Sequence, residues 1–507
     1  MSTVRTADEL CRQIRDTAES LVSLVQTAAR DGRPVHEVEQ TLWRTFQQLG
    51  QQCLGHFFAL AGDGDMGETV GIGEGQVWQR LEHKHPRTYV SIFGTFRLQR
   101  VAYGSREGQK IEFVPLDNRL QLPGSVYSYL LQDWSQGLCV ESAHGRVSAT
   151  LARIFGVDVS VDGLERINAQ MAERVPDWRE ARPQPEADTE GEVLVASADG
   201  KGVVMRRSAD DPAPAAHRSK GEKAGKKQMA MVATVYTVDR HVRTAEEVVA
   251  ALFRDPRPAD EPKPKRPEPR NKRVMASLAG VDEVGAYQPA VAVAHAWLQD
   301  EVITRNRQEQ SWQRPMVYLY DGQEALWEAR TAYLPSPGVE ILDLLHVTPR
   351  LWQAAHLFHR ESSDAAEAFV RDRCLRVLQG QVEGVIRGLR QMGTKHELTG
   401  SKKKRLAEVC GYLEKNRGRM RYDEYLAAGY PIASGVVEGA CRHLVKDRME
   451  RAGMHWTPAG AQAMLDVRSV FIDGSWEDYQ AYRIRREARQ LYPYRHLVEG
   501  PEYVLAC

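Results

Sequence analysis

The chain lacks a C-x-x-C pair, a long apolar run and an excess of either charge. Its cysteines, Cys11, Cys53, Cys139, Cys374, Cys410, Cys441 and Cys507, are scattered. That argues against a zinc ribbon or dithiol redox centre and fits a reducing cytosol better than a disulfide scaffold. No stretch reaches the roughly 18 apolar residues of a membrane-spanning helix. The opening MSTVRTADELCRQIRD mixes charges and has no apolar core of a signal peptide, so a cytoplasmic protein is expected. Lys plus Arg and Asp plus Glu each total 68. A uniformly basic surface is thereby excluded, and any nucleic-acid contact must be a local patch. The absence of G-x-x-x-x-G-K-[ST] leaves no basis for a P-loop motor.

What is present is a 507-residue chain, enough for several domains at about 100–200 residues each. Apolar residues at three- and four-residue steps predict helices through residues 1–60, within a helical region 1–80. The segment TYVSIFGTFRLQRVAYGS (88–105) alternates about Gly94 and predicts a hairpin; 113–123 reads as loop. Over 143–171 a helix to Phe155, a break at Gly156 and a cap at Ser160 or Asp162 outline a helix-turn-helix. Two core helices joined by a tight turn give the same pattern, and the second helix is not strongly basic. Region 81–178 is thus a β hairpin plus a candidate DNA-binding helical segment.

A polar connector is expected at 178–191. Three sequential antiparallel strands are expected within 193–239, at 193–199, 203–205 and 228–239. A helix follows at 244–254, then a Pro- and charge-rich segment, 255–274, reads as a mobile insertion. A helix near 282–300, an apolar strand from 315 ending in Asp321-Gly322 and a short strand within 339–347 close a first core part, 190–347. Long helices with Lys and Arg clusters fill 348–428. A helix from Ser434 to Arg451 opens the last part, 429–507.

Two apolar strands running into Asp-Gly, VLVASADG and VYLYDG, single out Asp199 and Asp321. One such pair is most simply a turn; two in one domain, with Glu438 inside a helix among Val436, Val437 and Ala440, suggest a set of metal-binding carboxylates. Mg²⁺ prefers oxygen ligands and keeps several waters, so few carboxylates suffice. Two such ions can activate a water or 3′-hydroxyl and stabilise the leaving oxygen of a phosphodiester.

The combination SADGKG, LYDG, LDLLH and SGVVEGACR with KDRM and GMHW resembles the ISKra4-type insertion-sequence transposases, a group of DDE transposases with a ribonuclease H-like core. The resemblance spans roughly 85–500. It implies an α/β fold: a mixed-sheet catalytic core with the first acid on strand one, the second after strand four and the third on a helix. A long helical insertion, here 348–425, precedes the glutamate, and a largely helical N-terminal region precedes the core. It carries Asp199, Asp321 and Glu438 over as catalytic residues that hold two Mg²⁺ or Mn²⁺ ions. The implied activity is binding of terminal inverted repeats, cleavage at the element ends and joining of the 3′-hydroxyl to target DNA. The implied partners are double-stranded end and target DNA and at least a second copy of the chain, with nucleoid association when bound. A ribonuclease H-like nuclease without strand transfer would use the same acids. A non-catalytic DNA-binding derivative would be expected to have lost one.

Asp343-x-x-His346 resembles an element that follows the second aspartate in related lineages, with His346 positioning DNA or the active-site strand; a strand-end aspartate with a hydrogen-bonded core histidine is the plainer reading. Lys201, Arg442, Lys446 and Trp456 are further DNA-contact candidates. Lys201 is otherwise a solvated loop lysine, Arg442 an ion-pair partner of Glu438 one turn away, and Trp456 a core residue. Residues 217–273 hold 15 Lys and Arg against 8 Asp and Glu, and 401–421 hold 8 against 2. The second segment contains Lys402, Lys403, Lys404 and Arg405, and such clusters suit backbone phosphate.

Overall fold

The computed structural model describes residues 6–73, 76–105, 111–206, 227–256, 266–282, 284–308, 311–451 and 453–498. Residues 207–226 and 257–265, which carry part of the basic bias of 217–273, fall outside the described residues. The chain divides into two compact units, one formed by residues 1–178 with 476–507 and the other by 179–475. The stretch 429–507 therefore does not stay together: its last part, from Trp476, belongs to the first unit. Among the described residues no helix is long and apolar enough to cross a membrane.

In the first unit, the predicted N-terminal helices are Ala7–Arg30 and Val35–Ala61. The first opens on a capping box in which Thr6 and Glu9 satisfy each other's backbone amides. The hairpin pairs His85–Ser91 with Gly94–Arg100, Ser91 opposite Gly94, and Gly94 at φ +116° takes a conformation open to glycine. Residues Pro115–Leu120 form a short helix where a loop was expected, because proline suits a first helical turn. The two helices, the glycine break and the serine cap read over 143–171 are formed, a pattern that a core helix pair shares. His144–Phe155 ends at Gly156 with φ +66°, and Ser160 caps Val161–Ala172 by accepting from the Gly163 amide at 3.0 Å. The helix Trp476–Leu491 completes this unit, with the Trp476 indole donating to Asp133 at 2.6 Å and Arg483 to Gln132 at 2.8 Å.

The second unit is built on a five-stranded mixed sheet. Its strands are β1 (Val193–Val204), β2 (Lys227–Val238), β3 (Arg270–Ser277), β4 (Met316–Tyr320) and β5 (Val339–Leu342). Their spatial order is β5-β4-β1-β2-β3. β4 runs parallel to both β1 and β5, while β2 is antiparallel to β1 and to β3.

Three expectations change here. The strand at 203–205 is the continuation of β1, since pairing with β2 runs unbroken from Val193 to Val204; Gly200 and Gly202 sit in extended ladder positions and make no turn. The third strand is β3, whose first residues come from the segment expected to be an insertion. The polar run Arg270-Asn-Lys-Arg there is one end of a strand whose other end, Val274–Ser277, is buried. The helix expected near 282–300 instead spans Ala290–Asn306 (α2), after Pro289 at its cap; α1 is Ala245–Leu252, as predicted.

The connector at 178–191 is not a loose link. Arg182, Arg273 and Glu301 form a buried cluster: Glu301 accepts from Arg182 and, at 2.9 Å, from Arg273, and Arg182 also reaches Asp473 at 3.2 Å. Glu190 takes the Arg305 guanidinium at 2.7 Å with both side chains buried. Polar sequence here signals ion pairs that clamp the connector to β3 and α2.

The two sheet faces follow the alternation along the strands. Leu194, Ala196, Ala198, Tyr318 and Tyr320 pack against α2 and the helix Glu324–Tyr333 (α3). Val193, Val195, Val317, Leu319 and Ile341 face the helical insertion. That insertion comprises α4 (Leu344–Phe358), α5 (Asp364–Leu378), α6 (Val382–Lys395) and α7 (Gly400–Asn416), with a short helix at Tyr422–Ala427. It begins four residues earlier than expected: the strand read to 347 stops at Leu342, and Asp343 caps α4.

Candidate metal and nucleic-acid site

The register of the three parallel strands lines up three aspartates. Tyr318 pairs with Ala196, and Tyr320 with Leu342. Continued along the same rows, this register sets Asp199, Asp321 and Asp343 side by side, at the carboxyl ends of β4 and β5 and midway along β1. Neighbouring strands lie about 4.8 Å apart, and side chains in one row point to one face, here the face of the helical insertion. Asp199 is therefore not the end of its strand. It sits where its parallel neighbour stops, while β1 runs on beside β2.

Each aspartate is held differently. Asp199 Oδ1 accepts from the Gly200 amide at 2.7 Å, and the Cys441 thiol lies 3.5 Å from Oδ2. Asp321 accepts from the amide and side chain of Gln323 at 2.8 and 2.7 Å. Asp343 is fully buried; its Oδ1 caps α4 through the Leu345 amide at 2.8 Å, and its Oδ2 accepts from Ser434 and pairs with His346 Nδ1 at 3.1 Å. Both oxygens of Asp343 are thus occupied within the protein.

Glu438 comes from a later helix on the same sheet face, where Val232 stands opposite Asp199. It lies on α8 (Gly435–Ala440), which continues through a π-helical turn, Cys441–Lys446, and the short Asp447–Met449 segment. Val437, Ala440 and Cys441 bury this element against Val203, Ala230 and Val232 of the sheet. Among the described residues, Asp343, His346 and Glu438 form a group whose ligand atoms all lie within 4.8 Å of one another.

Electrostatics tie this group to the other acids. Burial, then repulsion from Asp343 and Asp199, pushes the Glu438 carboxyl above its usual range, against the pull of His346. Burial also raises Asp199, with Asp321 adding to it and the Gly200 amide, Cys441 and His346 opposing it. His346 is raised by its bond to Asp343, against burial, and further by Asp321 and Glu438. Asp199 and Glu438 are both raised by burial and by neighbouring carboxylates, as expected where acids converge. The oxygen-rich donor set fits Mg²⁺ or Mn²⁺.

The paired histidine makes a pH prediction. Its folded pKa is raised, so the stability it contributes is complete below its unfolded value of about 6.5 and is lost as pH rises through the folded value. Asp343→Asn keeps a capping side chain but removes the charge. The His346 imidazole, followed by NMR, should then titrate lower than in wild type; an unmoved titration would show that the pair does not set it.

The remaining candidates are placed unevenly. Lys201 lies 4.0 Å from Glu450, which also binds Lys227 at 2.8 Å. Arg442 does not pair with Glu438: it is 3.8 Å from Asp447 with its side chain 70% exposed, because the π turn widens the helix and shifts the i, i+4 facing. Lys446 is exposed. Trp456 is held in the fold, its indole donating to Met449 at 3.2 Å and Arg448 covering its ring at 5.0 Å. Lys402, Lys403, Lys404 and Arg405 are exposed at the start of α7. Cys441 and Ser434 were not singled out from the sequence; their neighbours in the chain carry no signal that they touch Asp199 and Asp343.

No protein-family model matches the chain, and no curated protein does. Among solved structures, the Drosophila P element transposase strand transfer complex is a neighbour at 10% identity, with 69% of this chain and 80% of that chain covered and a TM-score of 0.22. A likeness at that level carries no argument for fold or activity.

Proposed function

We propose that the chain is a DNA transposase of the DDE class, with Asp199, Asp321 and Glu438 as the catalytic acids. One observation carries this reading: the strand register brings two aspartates 122 residues apart in the chain into one row, and a helix sets a glutamate within electrostatic reach of Asp199. The strand order β5-β4-β1-β2-β3, with the first acid on strand one, the second after strand four and the third on a late helix, supports a ribonuclease H-like core.

In this reading Asp199, Asp321 and Glu438 hold two Mg²⁺ or Mn²⁺ ions, which when bound would activate the attacking oxygen and stabilise the leaving one. The chain's own part is placement. Sheet and helix fix the carboxylates on rigid elements. Asp343 holds His346 and, through Ser434, the start of the Glu438 helix. Lys402, Lys403, Lys404 and Arg405 supply charge for backbone phosphate, and Lys201, Lys446 and Arg442 are further candidates for phosphate contact. The helix-turn-helix of the first unit is the candidate reader of end sequence.

The test is cleavage and joining of labelled duplexes spanning the two genomic flanks of the coding sequence, with Mg²⁺ or Mn²⁺. Cleavage followed by joining to a target plasmid is the expected result. Cleavage without joining would point to a nuclease, and binding without cleavage in either metal would overturn the catalytic reading.

A further inference from the structure

The helical insertion sets a cation beside the acid row that no motif in the chain indicated. Arg350 lies four residues beyond His346 on α4, so the two share a helix face. Its guanidinium sits over the ring of Tyr412, from α7, 4.7 Å from the ring centre. That ring is seated on the turn after Asp321: a Cβ at Gly322 would collide with it, and Asp321 and Asp343 both act on the Tyr412 hydroxyl. Arg350 is therefore one aromatic ring away from the aspartates.

Its own bonding leaves most of its capacity unused. Arg350 donates to Gln353 Oε1 at 3.2 Å, and among the described residues no carboxylate forms an ion pair with it. Stacking engages the flat face of a guanidinium and leaves its edge donors in the plane. The side chain is partly buried, and the ring beneath it limits its positions. This differs from Lys402–Arg405, which are exposed on a helix surface.

We infer that Arg350, seated on Tyr412, binds a backbone phosphate of the DNA strand next to the bond that is cut. The inference rests on the proposed catalytic reading and adds to it a fixed contact. An acid row repels a polyanion; a preorganised guanidinium, with paired donors matched to phosphate oxygens, offsets that repulsion at one defined position. A charge-assisted contact of this kind corresponds to a loss on the order of 10- to 100-fold when removed.

The experiment uses the full chain and the flank duplexes described above, with the cut site mapped first. Single neutral methylphosphonates are then placed at each phosphate around the cut. Single-turnover cleavage is measured for wild type, Arg350→Ala and Arg350→Lys, each checked for an unchanged thermal melt. Arg350→Ala should cut 10- to 100-fold more slowly, with Lys restoring part of the rate. One methylphosphonate position should slow wild type strongly and Arg350→Ala hardly at all, a non-additivity that a merely structural role would not produce. Equal slowing of both proteins at every position, or an Arg350→Ala rate equal to wild type, would overturn the inference while leaving the catalytic reading intact. A wild type that cuts nothing would overturn both.

Discussion

Asp199→Ala should abolish metal-dependent cleavage while leaving DNA binding in place. Metal-held transition-state charge is worth several kcal/mol, and each 1.36 kcal/mol is tenfold in rate, so the loss is on the order of 10³-fold or more. Asp321→Ala and Glu438→Ala should behave alike. A variant that cuts at the wild-type rate would remove that acid from the triad.

The conservative Asp199→Asn adds a thermodynamic signature independent of any DNA substrate. Asp199 is pushed up first by burial and further by Asp321, so its folded pKa exceeds its unfolded one. The folded state then binds more protons across that interval, and metal-free stability falls as pH rises through it. Replacing the carboxylate removes this cost. The variant should melt no lower than wild type without metal, whereas Mg²⁺ or Mn²⁺ should raise the wild-type melting temperature and leave the variant unmoved. Equal metal-induced shifts in both proteins would place the ions elsewhere.

The largest expected effect on stability lies away from the acids, at Glu301. Its carboxylate lies between Arg182 and Arg273, all three nearly inaccessible to solvent. Burial already pushes the Arg273 guanidinium below its usual range, with Glu301 the main opposing influence. Removing one member of a buried ion pair leaves an uncompensated charge and costs about 3–5 kcal/mol. Arg182 would retain Asp473, and Arg273 would retain Gln184 at 3.1 Å and the Pro183 carbonyl at 2.7 Å, which places Glu301→Ala toward the lower end. A fall in melting temperature of about 10 °C is expected; a change of a degree or two would show that water or rearrangement satisfies the arginines.

Sequence by itself determined the local elements. The N-terminal helices, the hairpin about Gly94, the Gly156 break with its Ser160 cap, the apolar strands before Asp199 and Asp321 and the helical insertion all follow from periodicity, capping and turn chemistry, which act over a few residues. It also marked which acids to consider, Asp199 and Asp321 because each follows an apolar strand and Glu438 because it sits among apolar neighbours in a helix.

The tertiary structure alone decided how those pieces meet. Register is set by packing between strands far apart in the chain, so nothing near Asp199 specifies that it lies in one row with Asp321 and Asp343. The strand Arg270–Ser277 was hidden because its first four residues are as polar as a linker, and only its place beside β2 and its ion pair with Glu301 show how it is buried. Asp343 reads as a strand end until the helix it caps is seen. Arg442 reads as a partner of Glu438 until a π turn moves it away. Arg350 and Tyr412 have no mark in the sequence at all. Their relation to the acids comes from two helices crossing one sheet face, a geometry fixed by the buried side chains between them.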